Sequence, residues 1–312
     1  MTAITPLAVL AAVAVTAVTV VAVQQPTFRS TGQLVRIEVS VTDDRGPVTG
    51  LRAEDFVLTD TGTRQQPTVD ETQDTPLDLV AVAQPLESLR QTSGQQAPRI
   101  AAGFAAFLDE IDARDRLGVL VASAPPRRLR QLSFGPPKFE SGAIDAGPYA
   151  ATFDAITAAL GEFLPSDRRR VLVAFTNAAD FRSTVSFDAL VEQTRRLGPA
   201  FVLISSPTTI EQTVSVGATT RAGTPIGDTA TARISGFVFP SSLERLARRT
   251  GGITINLGQG DPAKLLKDAF VWMRTRYVLS YEPPPGKGWH PLTVRVTRKG
   301  ATVAAREGYF VD

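Results

Sequence analysis

The 312-residue sequence is 43% hydrophobic and 21% charged, a globular balance that excludes wholesale disorder and leaves length for one large or two ordinary domains. Its 33 Lys and Arg face 31 Asp and Glu, so the formal charge of +2 implies no acidic partner. The complete absence of cysteine removes disulfides, thiolate nucleophiles and Cys-ligated zinc.

The first predicted element is an export segment. Residues 7–23 contain only Leu, Ala, Val and Thr, and the first charge is Arg29. The run is read either as a signal peptide cut near residue 24 or as a retained membrane anchor through residues 7–23. The expected location is therefore exported: periplasmic, secreted or anchored.

Val35, Ile37, Val39 and Val41 then alternate with Arg36, Glu38, Ser40 and Thr42, the period of a half-buried strand. With the turn at residues 43–46 and the short run 56–58, residues 27–72 are expected to form the N-terminal part of a β-sandwich.

From residue 77 the rhythm becomes α/β. The nearly continuous apolar run 77–83 suits a buried parallel strand. Ile100, Phe104, Phe107, Leu108 and Ile111 recur at helical spacing before a second strand at 117–122. Further strands are expected at 130–134, 171–176 and 200–205, with helices at 150–164, 187–197 and 243–249. Such repeats predict a mostly parallel, doubly wound Rossmann-like sheet across residues 73–258. Thr250-Gly251-Gly252 reads as a helix cap before an edge strand at 253–255. Residues 207–237, rich in Thr, Ala, Gly and Ser without a clear period, read as a flexible loop.

Residues 259–312 supply a connecting helix at 261–276 and strands at 277–282, 292–298 and 303–310. Strands at both ends of the chain imply that the α/β unit is inserted into, or flanked by, an Ig-like β-sandwich.

The chain resembles the von Willebrand factor A (vWA)-related proteins of the Acidobacteria type over roughly residues 27–312. The stretches LVRIEVSVTDDRGPVTGLRAEDFVLTDTG, LERLARRTGGITINL, RTRYVLSYEPPPGKGWHPLTVRVTR and AAREGYF carry the likeness. The resemblance implies a metal-ion-dependent adhesion site at the C-terminal edge of the sheet, built on Asp-x-Ser-x-Ser. Here that stretch reads Gln84-Pro85-Leu86-Glu87-Ser88, and only Ser88 matches. The family's Gly-Thr falls at Tyr149-Ala150 and its Thr-Asp-Gly at Thr176-Asn177-Ala178. Gln84, Leu86, Ser88, Ala150 and Asn177 thus mark a degenerate metal site. A hard divalent cation needs carboxylates that these positions lack, although Glu87 and Asp180 lie nearby in sequence and leave a residual site as the alternative.

No Gly-x-Ser-x-Gly elbow, His-Glu-x-x-His helix or phosphate-binding glycine loop is present, and the single histidine, His290, is expected in a surface turn. The arginine clusters at 127–130, 168–170 and 195–196 lack interleaved aromatics, which speaks against nucleic acid; they read as solvated element ends. The expectation is a non-enzymatic module without cofactor that binds another protein, with Gln84, Glu87, Tyr149, Asn177 and Asp180 as partner contacts. An envelope protein acting through its β-sandwich is the structural alternative.

Overall fold

The computed structural model describes residues 34–311 except 73–74, 93–95, 136, 138, 140–141, 146, 148, 164–167, 179, 181, 207–210, 220–224 and 236–241; for 92 and 211–235 only the backbone is described. Residues 1–24, expected to direct export or anchor the chain, lie outside the described residues. No helix among the described residues is long and apolar enough to cross a membrane.

In chain order, β1 (Val35–Asp43), β2 (Gly46–Pro47), β3 (Phe56–Asp60), β4 (Thr63–Gln65) and β5 (Thr68–Thr72) precede the α/β section. That section runs β6 (Leu77–Ala83), α1 (Leu86–Thr92), α2 (Gln96–Asp109), β7 (Arg116–Val121), β8 (Arg127–Phe134), α3 (Thr152–Leu160), β9 (Arg169–Phe175), α4 (Phe187–Leu197) and β10 (Ala200–Ser205). It continues with β11 (Glu211–Thr219), β12 (Pro225–Ser235), α5 (Ser242–Arg249) and β13 (Thr254–Asn256). The chain closes with α6 (Pro262–Arg274), β14 (Arg276–Tyr281), β15 (Gly288–Val296), β16 (Thr302–Ala305) and β17 (Gly308–Val311).

The central sheet has the order β13-β10-β9-β6-β7-β8 and is parallel except for β8. Every residue of β6 is buried, as a strand covered on both faces requires. Its period of two divides the core. Leu77, Leu79, Ala81 and Ala83 join one apolar cluster with residues of α1, α2 and α6, while Val80 and Val82 join a second with α3, α4 and α5. Full burial of each such Val or Leu side chain is worth roughly 1.5–3 kcal/mol. The expected connecting helix, α6, packs on the first of these clusters through Leu266, Ala269, Phe270, Trp272 and Met273.

Strands from both ends of the chain pair with one another in two antiparallel sheets, β16-β1-β14-β5 with β2 alongside, and β17-β15-β3-β4. They share one apolar cluster that includes Ile37, Val39, Phe56, Leu58, Tyr277 and Leu279. The strand expected at 303–310 is two strands in different sheets, since β16 pairs with β1 and β17 with β15. Between them Arg306 bridges to Thr250. Here Gly251 takes φ +71, and a Cβ on Gly252 would lie 1.7 Å from the Phe201 carbonyl oxygen, so only glycine permits this approach.

Two expectations need correction. Within the segment expected to be a flexible loop at 207–237, the described residues are strands: β11 and β12 pair antiparallel, with a register shift between Val216 and Ala218. The Val, Ile and Thr residues spread through this segment favour extended backbone despite its polar composition. His290 is not in a surface turn but within β15, with 5% exposure. Its Nδ1 lies 3.1 Å from Oδ1 of Asp60, a fully buried carboxylate that also accepts the hydroxyls of Tyr281 at 2.8 Å and Tyr309 at 2.6 Å. Burial, reinforced by the Asp60 contact, pushes the Tyr309 phenol up to about 12 and raises Tyr281 as well, so both remain hydroxyl donors.

Candidate functional site

The C-terminal ends of β6 and β9 carry the residues singled out from sequence. β6 ends at Ala83, and the Gln84 amide donates to the Phe175 carbonyl at 2.8 Å, so residue 84 still rides beside β9. Leu86, Glu87 and Ser88 open α1, Tyr149 and Ala150 precede α3, and Asn177 follows β9.

Three of these residues, Gln84, Ser88 and Asn177, converge with Thr176 and Gln96. The carboxamide of Gln84 donates from Nε2 to Ser88 Oγ at 3.2 Å. Its Oε1 accepts the Thr176 hydroxyl at 2.6 Å and the Asn177 amide at 3.1 Å. Asn177 Nδ2 donates to Gln96 Oε1 at 3.1 Å, and Gln96 Nε2 donates to the Ser206 carbonyl at 2.6 Å. Gln84 is fully buried, with Ser88 and Thr176 each only 1% exposed. The network is neutral throughout and links the ends of β6, β9 and β10.

Burial corrects one sequence expectation directly. Gln84 cannot meet a partner from its present position, because both ends of its amide are used inside the protein. Leu86 and Ala150 are also buried, at 8% and 0% exposure. Leu86 packs into the apolar cluster of α1 and α2, while the Ala150 carbonyl accepts the Arg182 amide at 3.1 Å.

The two neighbouring carboxylates point to other tasks. Glu87 is exposed, and its Oε2 accepts the Gly147 amide at 3.3 Å. Asp180 accepts the Phe153 amide at 3.3 Å in the first turn of α3 and the Ser183 amide at 3.1 Å, so it serves an orphan helix donor and its own loop. Among the described residues no group of three or more His, Cys, Asp or Glu is arranged to hold a metal ion.

Tyr149 is 47% exposed, and the Arg182 guanidinium carbon sits 4.6 Å from its ring centroid. This stacked pair was not visible in the sequence, since residues 149 and 182 lie on separate loops. Gln96 and Thr176 were likewise missed as network members. Beside them Ala178 holds φ +65, a left-handed conformation unusual for alanine, and its amide donates to Thr176 Oγ1 at 3.0 Å.

No protein-family model matches the sequence, and no curated protein matches it. Among solved structures the chain is similar to an aerotolerance-related membrane protein from Bacteroides fragilis, at 15% identity over 62% of this chain and 96% of that one, with a TM-score of 0.43. It is similar to the conserved hypothetical protein BatB from Bacteroides thetaiotaomicron, at 12% identity over 64% and 99% of the two chains, TM-score 0.44. It is also similar to a von Willebrand factor type A protein from Catenulispora acidiphila, at 12% identity over 89% and 75%, TM-score 0.41. The α/β architecture stands on the strand order and pairing of this chain itself.

Proposed function

We propose that this chain is an exported, non-enzymatic protein-binding or scaffold module, built on a vWA-like α/β unit whose metal site has given way to a neutral hydrogen-bond network. The observation that carries the reading is the closure around Gln84. Where a cation would need converging carboxylates, a carboxamide is already satisfied by Ser88, Thr176 and Asn177. Neutral amide and hydroxyl oxygens do not offset the dehydration of Mg²⁺ or Ca²⁺, so these residues do not fit one.

In this reading the two antiparallel sheets form a β-sandwich frame, the unit of residues 73–258 is set into it, and residues 1–24 direct export or anchor the chain. The partner is another protein, met by the exposed groups that rim the closed network. Tyr149 backed by Arg182 is the anchor, since an aromatic ring and a guanidinium are the side chains that most often carry binding energy at such surfaces. Exposed Glu87 and half-buried Asn177 and Asp180 border it, and Gln84 acts from beneath as a support.

Calorimetric titration of the full chain with Mg²⁺, Ca²⁺ and Mn²⁺ tests the proposal, alongside a Gln84→Asp, Leu86→Ser, Ala150→Thr, Asn177→Asp variant checked for folding by circular dichroism. The natural chain is expected to take up no metal at millimolar concentration and the folded variant to bind. Saturable binding by the natural chain would overturn the reading in favour of a metal-dependent adhesion module.

A further inference from the structure

The opposite, N-terminal edge of the central sheet holds a cavity of about 270 Å³ where the starts of β9 and β10 face β1, β5 and β14. Its charged lining is Arg36, Glu38, Arg168, Arg169, Arg170 and Arg306, five guanidiniums against one carboxylate. Two of the five have anionic partners. Arg168 Nε pairs with Asp78 Oδ1 at 2.7 Å, and Arg169 Nη2 pairs with Glu38 Oε2 at 3.1 Å.

For the other three no anion among the described residues is in contact, although Glu38 lies within electrostatic range of Arg170 and Arg306. Among the described residues, Arg36, Arg170 and Arg306 make no ion pair, and Arg306 spends its donors on the Gly308 carbonyl at 2.7 Å and the Arg195 carbonyl at 2.8 Å. Burial lowers the Arg306 pKa and the Arg170 charge lowers it further, with Glu38 pulling the other way but not restoring it. A second observation is independent of charge. Arg169 is only 5% exposed, and its Nε is a buried donor without an acceptor. Such donors are rare, because a buried N–H without an acceptor has lost its water hydrogen bonds without regaining any.

We propose that this cavity binds a compact, doubly or triply charged oxyanion, with Arg36, Arg170 and Arg306 supplying the compensating charge. Guanidinium forks match the oxygen spacing of both phosphate and carboxylate groups, so the shared chemistry is a small multivalent oxyanion from either source. The cavity lies across the sheet from the Gln84 network, and ligand binding there does not depend on how the C-terminal edge is used.

The test is calorimetric titration of the full chain with inorganic phosphate, pyrophosphate and citrate, at ionic strength held near physiological with sodium chloride. Saturable, one-to-one binding of at least one of these is expected. Preference for pyrophosphate or phosphate would assign a phosphate source, and preference for citrate a polycarboxylate source. Arg170→Ala should weaken binding by about tenfold or more, and Arg170→Lys by less, in proportion to one lost charge-assisted contact. Arg36→Ala, on an exposed position of β1, is the second variant if Arg170→Ala fails to fold. An exposed arginine elsewhere, Arg127, should be replaceable by alanine without effect. Absence of saturable binding to all three anions, or affinity unchanged in folded Arg170→Ala and Arg36→Ala, would overturn the proposal.

Discussion

The two ends of the same parallel sheet solve the problem of buried polar groups in opposite ways. At the C-terminal edge, Gln84, Ser88, Thr176, Asn177 and Gln96 satisfy one another without a formal charge. At the N-terminal edge the connections are ionic: Asp78 holds Arg116 and Arg168, Asp115 holds Arg274, and Glu38 holds Arg169. A neutral network closes a site, because the Gln84 carboxamide is engaged at both ends and no formal charge projects beyond it. An ionic edge with more cations than anions leaves a field that a ligand can complete.

The difference can be broken hardest at Asp78. It is fully buried between two guanidiniums, so Asp78→Ala leaves both uncompensated and should cost about 3–5 kcal/mol in denaturant unfolding. At the neutral edge, Gln84→Ala strands the Thr176 hydroxyl and the Asn177 amide, for an expected loss of about 1–3 kcal/mol. Neither loss should depend strongly on salt, because Asp78 is fully buried and its pairs are little screened; a Gln84 loss as large as the Asp78 loss would erase the contrast between the two edges.

The pH dependence sharpens the same comparison. Burial alone would raise the Glu38 pKa, but Arg169 and then Arg276 outweigh it and hold the carboxyl below its unfolded value of 4.5. A depressed acid contributes stability that is present above the unfolded value and is lost as pH falls through the folded one. Stability should therefore decline below pH 4.5, and Glu38→Gln should flatten that limb while Gln84→Ala leaves its slope unchanged. Parallel acid limbs in the natural chain and Glu38→Gln would contradict the assignment. The smallest effect is expected at Ala178, where glycine relieves the left-handed strain; Ala178→Gly should stabilise the chain by about 1 kcal/mol or less.

The fold was legible where local chemistry and tertiary packing agree. Helix α4 occupies its expected span because Ser186 caps its start by accepting the Ala189 amide, and Gly198 ends it at φ 74. The apolar run of β6 announced a strand covered on both faces. Where partners are distant in the chain, the sequence was silent. The burial of His290 depends on Asp60 across 230 positions, and the split of β16 from β17 depends on which sheet each half joins. The positions of the candidate site came from resemblance to a family motif. Their bonding did not, since the link from Gln84 to Thr176 spans 92 residues.

The arginine cluster at 168–170 shows the limit most clearly. Read as a solvated strand start, it includes Arg169, which reaches beneath the sheet to the Met273 carbonyl at 2.7 Å and ties down the end of α6. A run of like charges in sequence carries no sign of which member will be buried.

The most direct test of the central claim is nuclear magnetic resonance of the side-chain amides of Gln84 and Asn177, recorded on the full chain in detergent with and without millimolar Mg²⁺ or Ca²⁺. The closed network predicts slow hydrogen exchange at Gln84 Nε2 and resonances unmoved by either ion. Rapid exchange at Gln84, or a saturable shift of these amides on adding metal, would mean that the edge is open and that a cation is received there.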